Sequence, residues 1–165
     1  MLYIAAPFGN YIKHPNAISV TGTWTLYPQG NRFKSVVKTL RYDKENSGWV
    51  NRLGLPNPGL RVGLEKTWAS QILSIAETSE DEFLIMADMI PNRMSVEVNL
   101  SCPNLPENTV PKLIDNDSPM MFTAFEKKRD WCIAKVSPFI TGEELHYVIE
   151  KLNFRQIKLY KALRK

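Results

Sequence analysis

Four polar side chains fall within six residues at Asn99-Leu100-Ser101-Cys102-Pro103-Asn104, and one of them is a thiol. A cysteine can serve as a nucleophile or as a general base. Asparagine amides offer donors and acceptors in one plane, which suits a flat polar ligand. Upstream, Ser95, Glu97 and Asn99 alternate with Val96, Val98 and Leu100, the period-2 pattern of a strand. Pro103 has no backbone donor and ends the ladder. The polar tetrad is thus expected at the C-terminal end of a strand, where parallel barrels and open α/β sheets hold their ligands. The plainer reading of Cys102 is a small buried hydrophobe.

Lys135 is the second residue of chemical interest. It interrupts the apolar run Trp131-Cys132-Ile133-Ala134-Lys135-Val136, which Ser137-Pro138 halts. A lysine in a strand covered by helices must snorkel, pair or face a ligand. A structural salt bridge, with Asp130 near in sequence, competes with a ligand contact. On adjacent parallel strands, Lys135 and Cys102 would share one rim. His14 falls on a loop and His146 on a helix, and no glycine-rich oxyanion loop precedes Cys102. A cysteine hydrolase therefore has only generic support. No Cys/His cluster has the spacing of a metal site.

The elements that would position these residues read as follows. Leu2 to Ala6 and Ala17 to Thr21 are two short strands joined by about ten residues, fewer than a helical crossover usually needs. They are either antiparallel, or parallel with the crossover helix deleted. Residues 32–42 are ambiguous between helix and strand, and Gly48 to Gly59, with its prolines and glycines, is expected to be a structured loop. Leu64 to Gln71 is a candidate helix, and Gln71 to Ala76 a third strand. Ser79-Glu80-Asp81-Glu82 has the form of a capping box, opening a helix that carries Phe83, Met86, Ala87 and Ile90 on one face. A further helix is expected from Ser118 to about Arg129. A second capping box at Thr141-Gly142-Glu143-Glu144 opens a helix with Leu145, Val148, Ile149 and Leu152 inward, and Phe154 to Leu159 is the last strand. Alternation of helix and strand from Leu64 onward predicts an α/β fold with a parallel sheet of about six strands.

The composition fits one domain over 1–165, with 44% hydrophobic and 23% charged residues. A net charge of +4 is too small to imply nucleic-acid binding. No run approaches the roughly 18 apolar residues of a membrane span. The N-terminus lacks a basic leader, so reduced thiols and a cytoplasmic setting are expected for Cys102 and Cys132.

Asn99-Leu100-Ser101-Cys102-Pro103-Asn104 resembles the active-site signature of dihydroorotate dehydrogenases, FMN-dependent (β/α)8 barrels of pyrimidine synthesis. Gly22-Thr23-Trp24-Thr25 with Pro28-Gln29-Gly30-Asn31 is similar to the family's second-strand segment. Val50-Asn51-Arg52-Leu53-Gly54-Leu55-Pro56-Asn57 is similar to its substrate loop, and Ile133-Ala134-Lys135-Val136-Ser137-Pro138 to its fifth strand. The resemblance implies that Cys102 removes the C5 proton of dihydroorotate while hydride passes from C6 to FMN. It implies that Asn51, Asn99 and Asn104 hydrogen-bond the substrate, with Leu53, Gly54 and Leu55 in the same loop. Ala6, Thr23, Asn99 and Lys135 would contact the flavin. Gly9-Asn10 and Gly22-Thr23 stand where the family carries a further lysine. A full barrel of the family has eight strands, with the flavin phosphate held after the last two. About six are read here, so the expectation is an incomplete barrel that self-associates or takes its remaining strands from a second chain. The alternative is a non-catalytic remnant or interaction module of the same fold.

Overall fold

The computed structural model describes residues 2–5, 8–30, 40–45, 47–50, 55–76, 79–100, 132–136, 140–150 and 156–159. Strand β1 (Leu2–Ile4) pairs parallel with β2 (Ala17–Ser19), Leu2 opposite Ala17. The link between them carries a single 3-10 turn, Phe8–Asn10, in place of a crossover helix. Of the two arrangements the sequence left open, the parallel one is therefore adopted.

Next, β3 (Arg41–Asp43) and β4 (Gly48–Val50) form an antiparallel hairpin. The start of the segment expected to be a structured loop, Gly48 to Val50, is thus a strand. A two-stranded ribbon tolerates glycine where a central strand would not, and Ser47 takes a positive φ of 48° at the turn. Helix α1 (Leu60–Lys66) begins and ends earlier than the expected Leu64 to Gln71. Its buried contacts explain the shift. Leu60 is fully buried, and Gly63 lies against the ring of Trp24, where a Cβ would come within 2.7 Å.

Four strands then run parallel in the order β5 (Leu73–Ile75), β6 (Val96–Asn99), β7 (Cys132–Val136) and β8 (Gln156–Leu159). Helix α2 (Glu80–Met89) connects β5 to β6, and α3 (Gly142–Glu150) lies between β7 and β8. Parallel bridges Val20↔Ile72 and Trp24↔Ile75 join the β2 end to β5. Six of the eight described strands are thus linked as β1-β2-β5-β6-β7-β8, an α/β fold with a parallel sheet.

The two faces of the sheet differ in chemistry. Leu73, Ile75, Val96, Val98, Cys132, Ala134 and Val136 share a core with Leu60, Phe83, Met86, Ile90 and Val148. Period-2 alternation sends Ile72, Ser74, Glu97, Asn99, Ile133 and Lys135 to the opposite face. There Val20, Ile72 and Ile133 make a smaller apolar cluster. Two helix expectations are corrected. Ser79 occupies the N-cap of α2, but its hydroxyl makes no capping bond, and burial of Phe83 and Met86 holds that helix instead. In α3, Ile149 is exposed, and Tyr147 with the preceding Ile140 packs on the core beside Val148. The helix expected from Ser118 to Arg129 lies outside the described residues.

Candidate functional site

A phase change in the chain makes the site. Between the two parallel bridges the β2 side advances four residues, Val20 to Trp24, while β5 advances three, Ile72 to Ile75. The extra residue is a β-bulge, which re-aims the side chains beyond it. Without it, Val20 and Trp24 would share a face. Instead Val20 packs with Ile72 and Ile133, and Trp24 packs with the helix-side core. Thr23 is thereby turned toward Ser74 and Asn99. The Thr21 hydroxyl repairs the broken ladder: it accepts from Ser74 N at 3.1 Å and Trp24 Nε1 at 3.2 Å, and donates to Gly22 O at 3.1 Å. Asn10 braces the same place, its Oδ1 accepting from Gly22 N at 2.8 Å.

Above the apolar floor lies a buried polar array. Asn99 Nδ2 donates to Thr23 Oγ1 at 3.0 Å. Thr23 Oγ1 and Ser74 Oγ stand 3.1 Å apart, and Ser74 Oγ donates to Glu97 Oε1 at 3.0 Å. Lys135 Nζ approaches the same carboxylate oxygen at 3.7 Å. A hydroxyl has one proton to give. Because the Ser74 proton goes to the carboxylate, the Thr23 hydroxyl must donate to Ser74. The bonds therefore run one way, Asn99 to Thr23 to Ser74 to Glu97, and end on the atom that Lys135 faces. Such aligned chains strengthen one another in a low-dielectric interior. Glu97 and Ser74 are 1% and 0% exposed, so a charge here requires its partners.

The array faces the C-terminal ends of the strands. Asn99 closes β6 and is the register partner of Lys135 on β7, and Leu100 N donates to Lys135 O at 2.9 Å. Lys135 retains about a tenth of its side-chain surface, 11%. A cation and an amide thus meet at one rim, which fits the anionic or carbonyl edge of a planar ligand, while the Thr23 hydroxyl beside them gives its proton to Ser74.

A second anchor ties the segment after Thr23 to the loop before α1. Gln29 and Asn57 exchange backbone bonds at 2.9 and 3.0 Å. Asn57 Oδ1 accepts from Gly59 N at 2.9 Å and Thr25 N at 3.2 Å, and its Nδ2 donates to Leu55 O at 2.8 Å. Gly59 takes a φ of 89° there, a region that favours glycine. Asn57 belongs to the loop whose amides were expected to meet a ligand. Its side chain instead fixes the loop to the end of the second strand.

Among the expected site residues, Thr23, Asn99 and Lys135 come together, and Leu55 lies in the anchored loop. Ala6, Asn51, Leu53, Gly54, Cys102 and Asn104 lie outside the described residues, as does Asp130. Lys135 takes Glu97 as its ion-pair partner. Ser74 and Glu97 were missed by the sequence reading. Glu97 gave no separate signal, because it alternates with Val96 and Val98 as a solvent-facing residue of a strand would. His14 and His146 are both exposed, and Lys13 sits over the ring of Trp68.

Comparison with known proteins gives a consistent picture. The family model for dihydroorotate dehydrogenase matches residues 10–159. The catalytic subunit of dihydroorotate dehydrogenase B (NAD(+)) from Endomicrobium trichonymphae is 31% identical over 136 residues, covering 74% of this chain and 42% of that protein. The corresponding subunit from Staphylococcus carnosus is 32% identical over 91 residues, 45% of this chain and 30% of the relative. A putative dihydroorotate dehydrogenase A (fumarate) from Pediococcus pentosaceus is 34% identical over 70 residues, 35% and 23% of the two chains. The chain thus spans 42% or less of the length of these relatives.

Proposed function

The chain belongs to the dihydroorotate dehydrogenase family, and on that premise we propose that it carries the substrate half of a site oxidising dihydroorotate to orotate with FMN. The observation that carries this reading is Lys135, a buried cation held at a strand mouth beside Asn99 and Thr23. The pyrimidine edge of a flavin bears carbonyl oxygens and ring nitrogens on which negative charge gathers. Lys135 and the Asn99 amide are the complementary pair, with the Thr23 hydroxyl holding the amide nitrogen in place, so the residues present fit FMN. When bound, FMN supplies the acceptor for the two electrons that leave with the C6 hydrogen.

The chain's own residues divide the remaining work. Lys135 stabilises charge at the flavin edge, and Ala6 and Thr23 line the same ligand. Asn51, Asn99 and Asn104 orient the pyrimidine and its carboxylate by hydrogen bonds, with Leu53, Gly54 and Leu55 as further substrate-binding residues. The Cys102 sulfur takes the C5 proton as general base. The anchoring of the loop by Asn57 supports this reading, since it ties Leu55 to the end of the second strand near Thr23.

Residues 1–165 form one domain in this reading, part of a (β/α) barrel. Among the described residues no strand lies beyond β1 or β8. The barrel closes through strands outside those residues, supplied in cis, by a second copy or by another chain.

The test is a change at Cys102, read in two assays. Cys102→Ala is expected to slow orotate formation by about 10²-fold or more, the scale of a lost general base, with FMN affinity unchanged. Orotate formation at the parent rate would remove Cys102 from the base role.

A further inference from the structure

We infer that Glu97 is a positioning residue for the site: it holds Lys135 as a directed cation and, through Ser74 and Thr23, fixes the orientation of the Asn99 amide. Three observations carry this. Glu97 Oε1 lies 3.7 Å from Lys135 Nζ and accepts from Ser74 Oγ at 3.0 Å, so one oxygen serves both. The donor sequence Asn99, Thr23, Ser74 terminates on that oxygen, and an ionised acceptor at its end sets the direction of every bond before it. Glu97 sits next to the apolar floor of Val20, Ile72 and Ile133, below the rim, so it acts through its neighbours.

The consequence for Asn99 is specific. Its nitrogen is committed toward Thr23, which fixes which edge of the planar amide carries Oδ1. The rim then presents the Lys135 cation beside an Asn99 amide whose orientation this chain of bonds sets. With a neutral group at position 97, the Ser74 hydroxyl is no longer compelled to donate downward, and the chain can reverse. A carboxylate is therefore required for the arrangement, beyond a hydrogen-bonding side chain of that size.

Glu97→Gln, Lys135→Met and the double variant test this by urea unfolding of the purified chain and by FMN titration. Ser74→Ala provides a milder disturbance that keeps both charges. Each single charge variant should lower the urea midpoint, because it leaves a buried charge without its partner. The double variant should recover at least about half of the summed loss, the mark of a coupled pair. Glu97→Gln should weaken FMN binding roughly ten-fold, the scale on which outer partners tune a site, and Ser74→Ala should act in the same direction by less. Placed in the Lys135→Met background, Glu97→Gln should weaken FMN binding by clearly less than in the parent, the remainder being the share that runs through Ser74 and Thr23 to Asn99, whereas a merely structural role would give the same loss in both backgrounds.

Additive losses in the urea cycle overturn the inference, as does an equal effect of Glu97→Gln on FMN affinity with and without Lys135. The affinity arm rests on the proposed flavin role of Lys135. If Lys135→Met leaves FMN affinity unchanged, or the parent chain binds none, that role fails, and the urea cycle alone decides whether Glu97 positions Lys135.

Discussion

The side-chain amide of Asn99 donates to the hydroxyl of Thr23 over 3.0 Å, although 76 residues separate them in the chain. The bond crosses an intervening strand, because Thr23 adjoins β5 and Asn99 ends β6. Only the bulge at Thr21 to Thr23 makes it available. In an unbroken strand the residue facing Asn99 would be a neighbour of Thr23, and the polar array would lack its first link.

Thr23→Val should therefore be costly out of proportion to its size. It keeps the volume and removes a hydroxyl that accepts from Asn99 and donates to Ser74. Orphaning buried polar groups in this way costs about 1–3 kcal/mol. Equilibrium urea unfolding measures it, and a loss below about 0.5 kcal/mol, the ordinary scatter of a neutral substitution, would contradict the array.

Thr21→Val attacks the bulge itself. The Ser74 backbone N–H and the indole N–H of Trp24 both lose their acceptor. The expected cost is again about 1–3 kcal/mol, with faster hydrogen exchange at the Ser74 amide. Unchanged exchange there would mean that the hydroxyl is not what completes the ladder.

Asn57→Ala should loosen the loop without disturbing the sheet. Its side chain joins Thr25, Leu55 and Gly59, and removing it is expected to cost about 1 kcal/mol per lost bond at most. Limited proteolysis should cut faster at residues 55–59 while the far-ultraviolet dichroism is retained. Cleavage at the parent rate would show that the Gln29–Asn57 backbone pair suffices.

Strands β5 to β8 and the helices α2 and α3 were legible in the sequence, because their apolar periods are clear. The β3–β4 hairpin was not: its composition of glycine, tryptophan and charge fits a loop equally well, and pairing alone decides it. The direction of β1 against β2 was undecidable for a related reason. A ten-residue link permits either sense, and in the parallel one adopted Gly9 lies so close to the backbone oxygens of Ile4 and Val20 that no Cβ fits. In the site, Lys135 and Asn99 announced themselves by type and place. Ser74 and Glu97 did not, because a polar residue at every second position is also the signature of a solvent-facing strand. The bulge was invisible, since one extra residue leaves no mark on composition.

Lys135 and Asn99, the latter held by Thr23, are proposed to meet the flavin edge of a dihydroorotate-oxidising site. Anaerobic addition of dihydroorotate to the FMN-loaded protein tests it most directly, followed through the flavin absorbance. The expected result is bleaching of the flavin with formation of one equivalent of orotate, weakened in Lys135→Met through loss of FMN affinity. A preparation that stays colourless with added FMN, or a bound flavin that dihydroorotate does not bleach, would contradict it.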